Sequence, residues 1–529
     1  MSRKHVLLAA AGLAVLALAA LPTLFYPLTR DQGAYAYIAD LMMHGGAPYR
    51  DVWDLKPPAV YLAYQAAFML FGRSETSVRV LDALYTLLSA ALVAALTLEV
   101  FENRHLAALA GWIYALSYFV GVHFYSVASP ESFAVPLLAA TAWGAVRGLR
   151  SDAKAAWLVA GIAAGVAFWF KPTTAIVTLT LFAWSGWRLW SRDRDANEPL
   201  RALRLVVAGC LLGMLPIGWY LQGSGLREML YLWRTYGTDS YVSAPGLVQG
   251  PLALLDVLRQ YVGEWQLLVW LSLAGALGAL ARRQAQVGIG ALLAFLVSGV
   301  AAALLQGKLF EYHWIPVLAP GAALSAAALF WLAEEVQPTS SRVGWRQTRT
   351  LFAAIVIAGA VAGAAYDKLV VYRRLATYLS GRIGRGQFYA QFDIGRDFSH
   401  TGALEAADYL RERTGAEDAV LIWGAEPLVN FLAQRRSPTK YVFSYMLFDG
   451  DGGERWHEDF LEELRRTAPA YIVLVDNDVS PLTPQGSRAL LERFPAFVEL
   501  LQRDYQSETQ IEDYLFFRRK QGVLAEAEV

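Results

Sequence analysis

Residues 31–37 read DQGAYAY, and residues 45–58 read GGAPYRDVWDLKPP. This polar stretch directly follows a hydrophobic N-terminal run, and between residues 31 and 58 it carries four aspartates together with Arg50 and Lys56. Charged groups placed against a membrane span are costly, so they usually serve a function there. The stretch therefore predicts a loop at the membrane edge that takes part in binding or chemistry.

The composition is that of a membrane protein. The chain has 529 residues, of which 56% are hydrophobic and 17% are charged, whereas soluble domains carry about 25% charge. Apolar runs of roughly twenty residues recur before residue 370, which indicates a protein that crosses the membrane many times. The net charge of zero argues against a nucleic-acid partner. The single cysteine, Cys210, excludes a disulfide within the chain.

The apolar runs predict about eleven transmembrane helices. They cover residues 5–25, 78–98, 105–122, 131–148, 155–170, 173–190, 203–222, 264–281, 286–305, 313–333 and 350–370. The apolar run 58–72 is short and predicts an interfacial or re-entrant segment. Lys171-Pro172 breaks a longer apolar stretch and predicts a hairpin. The first run also has features of a signal peptide, but we favour an uncleaved span.

The distribution of Lys and Arg predicts the orientation. With this layout they are roughly threefold denser in the inner loops than in the outer ones, which places the N-terminus inside. The predicted domains are a transmembrane domain at 1–370, with an external loop at 26–77, and an extracytoplasmic α/β domain at 371–529. In the tail, residues 419–423 and 471–475 read as strands, and residues 401–413, 454–467 and 486–494 read as helices.

Two carboxylates are candidates for catalysis. Asp31 either caps the helix that follows it or acts as a general base at the membrane edge. Glu131 follows a short external loop and Pro130, and this pattern also fits an ordinary helix start. Both would lie at the external membrane edge in the predicted topology.

Five cationic or ionisable residues in the predicted external segments are candidates for binding a phosphate. They are Arg50, Lys56, Lys171, Lys308 and His313. Lysines at a membrane edge often reach toward water without a further role. Beside carboxylates, however, they also suit a phosphate as point charges. His313 is open to a third interpretation, that of a hydrogen-bonded histidine at a helix start.

The stretch DQGAY (residues 31–35), followed by GAPYRDVWDLKPP (46–58) and LFG (70–72), closely resembles the first external loop of the C-type (GT-C) membrane glycosyltransferases. These include the protein O-mannosyltransferases and the lipid A aminoarabinose transferases. Ser129-Pro130-Glu131, Phe170-Lys171-Pro172 and Tyr312-His313 extend the resemblance over roughly residues 5–370, and the tail is similar to those of many bacterial members.

This resemblance implies an enzyme of the inner or plasma membrane that moves a sugar from a polyprenyl phosphate to an extracytoplasmic lipid, glycan or protein. It implies that Asp31 is the catalytic acid/base residue, that Lys56 holds the lipid phosphate, and that Glu131 is the acid of the second external loop. Inversion is expected because one base and a direct displacement suffice. The family often has Asp-Glu where this chain has Asp31-Gln32, so a divalent metal stays open, and no other cofactor is required.

Two other functions fit parts of the sequence. A secondary transporter also carries ionisable groups in the membrane, but transporters hold them near the midplane and often show internal repeats. A membrane-anchored binding or sensor protein would work through its external tail, but an anchor needs far fewer spans. Both are less compatible with carboxylates and lysines gathered at one face.

Overall fold

The computed structural model describes residues 3–151, 153–192, 197–241, 251–282, 286–335, 368–395, 398–448, 453–476, 478–479 and 484–522. Over these residues the chain is mostly α-helical, with one small sheet near its C-terminal end. This confirms the predicted fold class of a helical membrane protein with a C-terminal α/β segment.

The helices before residue 336, in the described ranges, are mostly apolar and vary in length from 7 to 28 residues. They are α1 (Arg3–Ala20), α2 (Arg30–Met43), α3 (Ala59–Phe71), α4 (Glu75–Phe101), α5 (Arg104–Leu116), α6 (Pro130–Ser151), α7 (Lys154–Phe170), α8 (Thr174–Arg192), α9 (Asn197–Ser224), α10 (Leu226–Leu232), α11 (Pro251–Glu264), α12 (Gln266–Arg282), α13 (Gln286–Leu305) and α14 (Leu318–Glu335). Short irregular helical turns at Ser117–Gly121 and Glu311–Val317 extend α5 and precede α14.

The predicted spans coincide with these helices, except that the span 350–370 lies almost entirely outside the described residues. Among the described helices, five are long and apolar enough to cross a membrane, and up to seven if each of two bent helix pairs counts as one span. The predicted number of eleven is therefore not established. The predicted hairpin is present, because α7 ends at Phe170 and α8 begins at Thr174.

Contacts divide the chain into two compact units. Unit 1 comprises Met1–Phe25, Arg79–Ile217 and Leu247–Arg373. Its helices pack through small residues: a Cβ added to Gly161 of α7 would lie 2.3 Å from the carbonyl oxygen of Val206, and one added to Gly209 of α9 would lie 2.4 Å from that of Leu158. Such close backbone approach is the usual way in which apolar helices associate in a membrane.

Unit 2 comprises Tyr26–Val78, Gly218–Gly246 and Arg374–Val529. It holds α2, α3 and α10 together with the α/β segment. The strands are β1 (Val420–Trp423), β2 (Tyr471–Val475), β3 (Tyr505–Ile511) and β4 (Tyr514–Arg519). The helices of the segment are Arg385–Tyr389, His400–Arg413, Pro427–Ala433, Gly453–Thr467, Gly486–Glu492 and Pro495–Asp504.

The sheet has the order β1-β2-β4-β3, with β1 and β2 parallel and the other neighbours antiparallel. All residues of β1 and β2 are buried, as their continuous apolar sequences predict for strands covered on both faces. The two predicted strands are thus present, whereas the hairpin of β3 and β4 was not predicted. The predicted domains 1–370 and 371–529 stay a prediction, and in the structure residues 26–78 belong to the same compact unit as the tail.

Candidate active site

Asp31 is the second residue of α2 and is not its cap. The cap is Thr29, whose backbone N–H donates to the side chain of Gln32 at 3.2 Å in a capping box. The interpretation of Asp31 as the N-cap is therefore wrong, because Gln32 and Thr29 already satisfy the helix start. The Asp31 side chain is 43% exposed, and its Oδ2 lies 3.8 Å from Nζ of Lys56. Its carboxylate is thus left accessible to a ligand.

The position of Lys56 is fixed by hydrogen bonds to its backbone carbonyl oxygen. Its carbonyl oxygen accepts hydrogen bonds from the hydroxyls of Tyr49, at 2.7 Å, and Tyr61, at 3.1 Å. Both tyrosines are fully buried, and the Lys56 side chain is only 16% exposed. The aromatic residues of the loop therefore fix the point from which the ammonium group reaches Asp31.

Asp54 is a third charged group at this place, and the sequence analysis gave it no role. Its carboxylate is buried and accepts hydrogen bonds from the backbone N–H of Leu55, at 2.6 Å, and from the Tyr61 hydroxyl, at 2.8 Å. Burial raises the pKa of Asp54, and the nearby charge of Lys56 partly opposes this shift. Tyr61 thus connects Asp54 to the backbone of Lys56. The sequence WDLK (residues 53–56) could have indicated that Asp54 lies near Lys56, because only one residue separates them.

Arg50 already has a partner in the structure. Its guanidinium donates two hydrogen bonds to the adjacent Asp51, at 2.9 and 2.7 Å, and is about half exposed. The hydrogen bond from Arg50 lowers the pKa of Asp51, whose carboxylate also accepts from the backbone N–H of Ala47. This pair closes the turn of the loop, so a role for Arg50 at a phosphate needs the pair to open.

Glu131 belongs to a separate group in unit 1. It is the second residue of α6, and its Oε1 lies 2.7 Å from Nζ of Lys171 and 3.9 Å from Nε2 of His313. The three side chains are only 3%, 12% and 2% exposed, in the order Glu131, Lys171, His313. The structure therefore brings these three sequence-predicted residues together as a buried cluster.

Lys308 is also buried. It lies in a turn where Gly307 and Leu309 both have positive φ angles, of 67° and 50°. Burial lowers the pKa of Lys308, since the charged form is less well solvated there. Such an ammonium would gain from a bound anion.

The α/β segment holds α2 from within unit 2. Gly33 packs against Leu428 so closely that an added Cβ would lie 2.4 Å from the Leu428 Cβ. Arg73 donates to both oxygens of Asp40, at 2.7 and 3.0 Å, and to the Phe431 carbonyl oxygen. These contacts join residues far apart in the chain, so no local sequence signal could have revealed them.

Buried Glu75, at the start of α4, connects the segment before α2 to the C-terminal tail within unit 2. Its Oε1 accepts from the backbone N–H of Leu28 at 2.9 Å, and its Oε2 accepts from the Tyr389 hydroxyl at 2.8 Å and from Arg385. Leu28 lies three residues before Asp31. The tail thus helps to fix the segment that leads into α2.

Comparisons with known proteins bear on the family and the fold. A model of the family described as dolichyl-phosphate-mannose-protein mannosyltransferase matches residues 55–220, a stretch that includes Lys56, Glu131 and Lys171. No curated relative matches the chain in sequence.

Among solved structures, the chain is similar to ArnT from Cupriavidus metallidurans bound to undecaprenyl phosphate, with a TM-score of 0.61, 14% identity and 98% of each chain covered. It is similar to the apo state of the same protein with a TM-score of 0.59 and 14% identity, covering 96% of this chain and 98% of that one. The chain therefore has the fold of ArnT, and residues 55–220 match the mannosyltransferase family, in agreement with the resemblance found in the sequence.

Proposed function

We propose that the protein transfers a sugar from a polyprenyl-phosphate donor to an acceptor on the extracytoplasmic side, with inversion at the sugar carbon. The single observation that carries this proposal is the pair formed by Asp31 and Lys56. A partly exposed carboxylate stands 3.8 Å from a lysine whose backbone is held by two buried tyrosines. The family match and the likeness to a structure that contains undecaprenyl phosphate support the same donor class.

Lys56 would hold the phosphate of the donor. Without a ligand, its ammonium group has Asp31 as an ionic partner. When the bond between the sugar carbon and the phosphate oxygen breaks, negative charge develops on the departing phosphate. A positioned cation stabilises that charge more than it stabilises the bound donor, and this difference accelerates the reaction.

Asp31 would act as the general base. An acceptor hydroxyl is a weak nucleophile until its proton begins to leave. The carboxylate of Asp31 accepts this proton as the acceptor oxygen bonds to the sugar carbon from the face opposite the phosphate. The proton ends on Asp31, the electron pair of the broken bond ends on the lipid phosphate, and the configuration at the sugar carbon inverts.

The remaining sequence-predicted roles stay predictions, separate from the roles of Asp31 and Lys56. They are a catalytic role for Glu131 and phosphate binding by Lys171, Arg50, Lys308 and His313. Binding of a radiolabelled polyprenyl-phosphate sugar to single-residue variants tests the phosphate-binding roles, whereas turnover at saturating donor tests Glu131.

The proposed orientation is N-terminus cytoplasmic and residues 372–529 extracytoplasmic, in the inner or plasma membrane. The density of Lys and Arg in the loops supports it. In a Cys210→Ala background, a cysteine introduced as Asn197→Cys is expected to resist an impermeant reagent in intact cells. Labelling before lysis would contradict the orientation.

The test of the function uses the full-length protein in nanodiscs with a panel of polyprenyl-phosphate sugars. We expect release of polyprenyl phosphate with at least one donor when extracts containing the acceptor are added. No release with any sugar of the panel, by protein that melts cooperatively and binds the lipid phosphate, would contradict the proposal.

A further inference from the structure

Asp54 is a buried carboxylate in the loop that carries Lys56. It is only 7% exposed. Its two oxygens accept one hydrogen bond each, from the backbone N–H of Leu55 at 2.6 Å and from the Tyr61 hydroxyl at 2.8 Å. Both donors are neutral, and a buried carboxylate is costly unless a positive charge compensates it. Asp54 therefore needs a cation nearby.

Lys56 is that cation, and it is shared with Asp31. Burial raises the pKa of Asp54, the charge of Lys56 opposes this shift, and the charge of Asp31 adds to it. The three charges therefore act on one another, and all three residues belong to unit 2. One ammonium group thus serves two carboxylates, of which Asp54 is buried and Asp31 is partly exposed.

Tyr61, the third residue of α3, fixes the geometry between Asp54 and Lys56. Its hydroxyl lies 2.8 Å from Oδ2 of Asp54 and 3.1 Å from the carbonyl oxygen of Lys56. Tyr49 donates to the same carbonyl oxygen at 2.7 Å, and its ring centroid lies 6.2 Å from that of Tyr61. The backbone of Lys56 is therefore held at a set distance from the Asp54 carboxylate.

The contact between Lys56 and Asp31 is longer than that of a closed ion pair. Their charged atoms lie 3.8 Å apart, whereas a hydrogen-bonded ammonium and carboxylate approach to about 2.7–2.9 Å. An ammonium group that is attracted by a second carboxylate is drawn less strongly to the first. The charge of Asp54 thus accounts for the long contact between Lys56 and Asp31.

We propose that Asp54 is a positioning residue for the transfer reaction, which holds Lys56 back from Asp31 and thereby leaves Asp31 able to accept a proton. This role rests on the proposed function, because it concerns the same general base. Without the charge of Asp54, Lys56 closes onto Asp31. A hydrogen bond to the charged form of a carboxylate makes that carboxylate a weaker base, and the bond has to break before the acceptor hydroxyl can take its place.

The first test separates kcat from the KM for the donor. In Asp54→Asn, kcat should fall by roughly 10–100-fold, the range for a hydrogen bond to a charged group that has to break. The donor KM should be unchanged or lower, because the variant loses a negative charge near the place where an anion binds. A variant that merely displaced Lys56 would instead raise the donor KM. Asp51→Asn, in the same loop, is the matched control and should keep both values.

The second test is the pH dependence of kcat, for which Tyr61 offers a variant with the opposite effect. The groups that face Asp54 are Lys56, Asp31, Tyr61 and Tyr49. The charged form of Asp54 is lost as the pH falls through its raised pKa, so the acid limb of the wild type follows Asp54. Asp54→Asn should move this limb to lower pH, because that titration is removed. Tyr61→Phe removes a hydrogen bond to the charged form, which raises the pKa of Asp54 further and should move the limb to higher pH.

Both tests use the full-length protein in nanodiscs with a donor that the wild type turns over. Melting curves accompany them, and Tyr61→Phe carries the test if Asp54→Asn fails to fold. Wild-type kcat in folded Asp54→Asn, a raised donor KM in that variant, or an acid limb that stays in place in either variant would each overturn the role of Asp54, although the proposed function would stand. No turnover of any donor by the wild type would contradict the proposed function itself, and the role of Asp54 would fall with it.

Discussion

Two acid–lysine pairs in this protein differ in the distance between their charged atoms and in their exposure. The open pair, Asp31 and Lys56 in unit 2, has 3.8 Å between its charged atoms and a 43% exposed carboxylate. The closed pair, Glu131 and Lys171 in unit 1, has 2.7 Å between its charged atoms and a 3% exposed carboxylate. A carboxylate and a lysine are thus loosely paired in one place and tightly paired in the other.

The difference in exposure between the two pairs suggests that one serves catalysis and the other serves folding stability. In a loose, accessible pair, the lysine can leave the carboxylate to bind a phosphate and the carboxylate can bind a hydroxyl, at little cost in free energy. A buried pair cannot, because either charge left alone in a low-dielectric place is strongly unfavourable. We infer that the open pair reacts with substrate, and that the closed pair, with His313 beside it, chiefly holds the helices α6, α7 and α8 in place.

The largest expected effect on stability comes from breaking the closed pair. Glu131→Gln leaves Lys171 as a buried charge without its 2.7 Å partner, which should cost about 3–5 kcal/mol. The double variant Glu131→Gln/Lys171→Met should recover much of this loss. Melting curves in detergent measure both. Asp256→Asn, in an exposed pair with Arg259, is the matched control and should change stability by less than about 0.5 kcal/mol.

Equal melting temperatures for Glu131→Gln and wild type would contradict the role of the closed pair. If such a stable variant also lost turnover, Glu131 would instead be a catalytic residue, as the resemblance to the C-type glycosyltransferases implies.

The sequence predicted the closed pair only in part, for a physical reason. Hydrophobic periodicity and Lys171-Pro172 indicate α6, α7 and the break before α8, since these features are local. The contacts of His313 with Glu131 and of His123 with Glu311 join residues far apart in the chain, so periodicity carries no information about them. The position of Glu131 at a helix start was predicted from the sequence, whereas its contacts with Lys171 and His313 were not.

The open pair was more accessible to sequence reasoning. Asp31 and Lys56 stand in one polar loop whose motif is distinctive as a set, and the loop is short enough for its ends to meet. The alternative that Asp31 caps α2 was wrong because Thr29, two residues earlier, is the cap and pairs with Gln32. The hairpin of β3 and β4 was missed because most residues of β3 are exposed or half-buried and its sequence, YQSETQI, is polar.

Replacing Lys56, the cation of the open pair, should weaken donor binding. Lys56→Met removes the ammonium but keeps the length of the side chain, so donor affinity should fall by roughly 10–100-fold, the range for a hydrogen bond to a charged group. Lys154→Met is the control, since Lys154 is exposed at the start of α7. Filter binding of a radiolabelled donor measures both.

Donor affinity of Lys56→Met equal to that of the wild type would remove Lys56 from the donor site. Melting temperatures of the two lysine variants should agree, because the open pair contributes little to stability.

The smallest effect is expected for Arg50→Ala. Arg50 pairs with Asp51 in an exposed turn, and exposed pairs contribute about 0–1 kcal/mol. Donor affinity should therefore change by less than about fivefold. The free energy of unfolding should change by less than about 1 kcal/mol. A loss of donor binding as large as that of Lys56→Met would place Arg50 at the phosphate and extend the open pair to three residues.

Sugar transfer by Asp31→Asn in nanodiscs tests the central claim most directly. Asparagine keeps the shape but cannot accept the proton, and Thr29 and Gln32 still cap α2. Turnover should fall by about a hundredfold or more, while donor affinity and melting temperature stay close to those of the wild type. Asp51→Asn, in the same loop, should retain turnover. Near wild-type turnover by Asp31→Asn would contradict the account and make Glu131 the first candidate for the base.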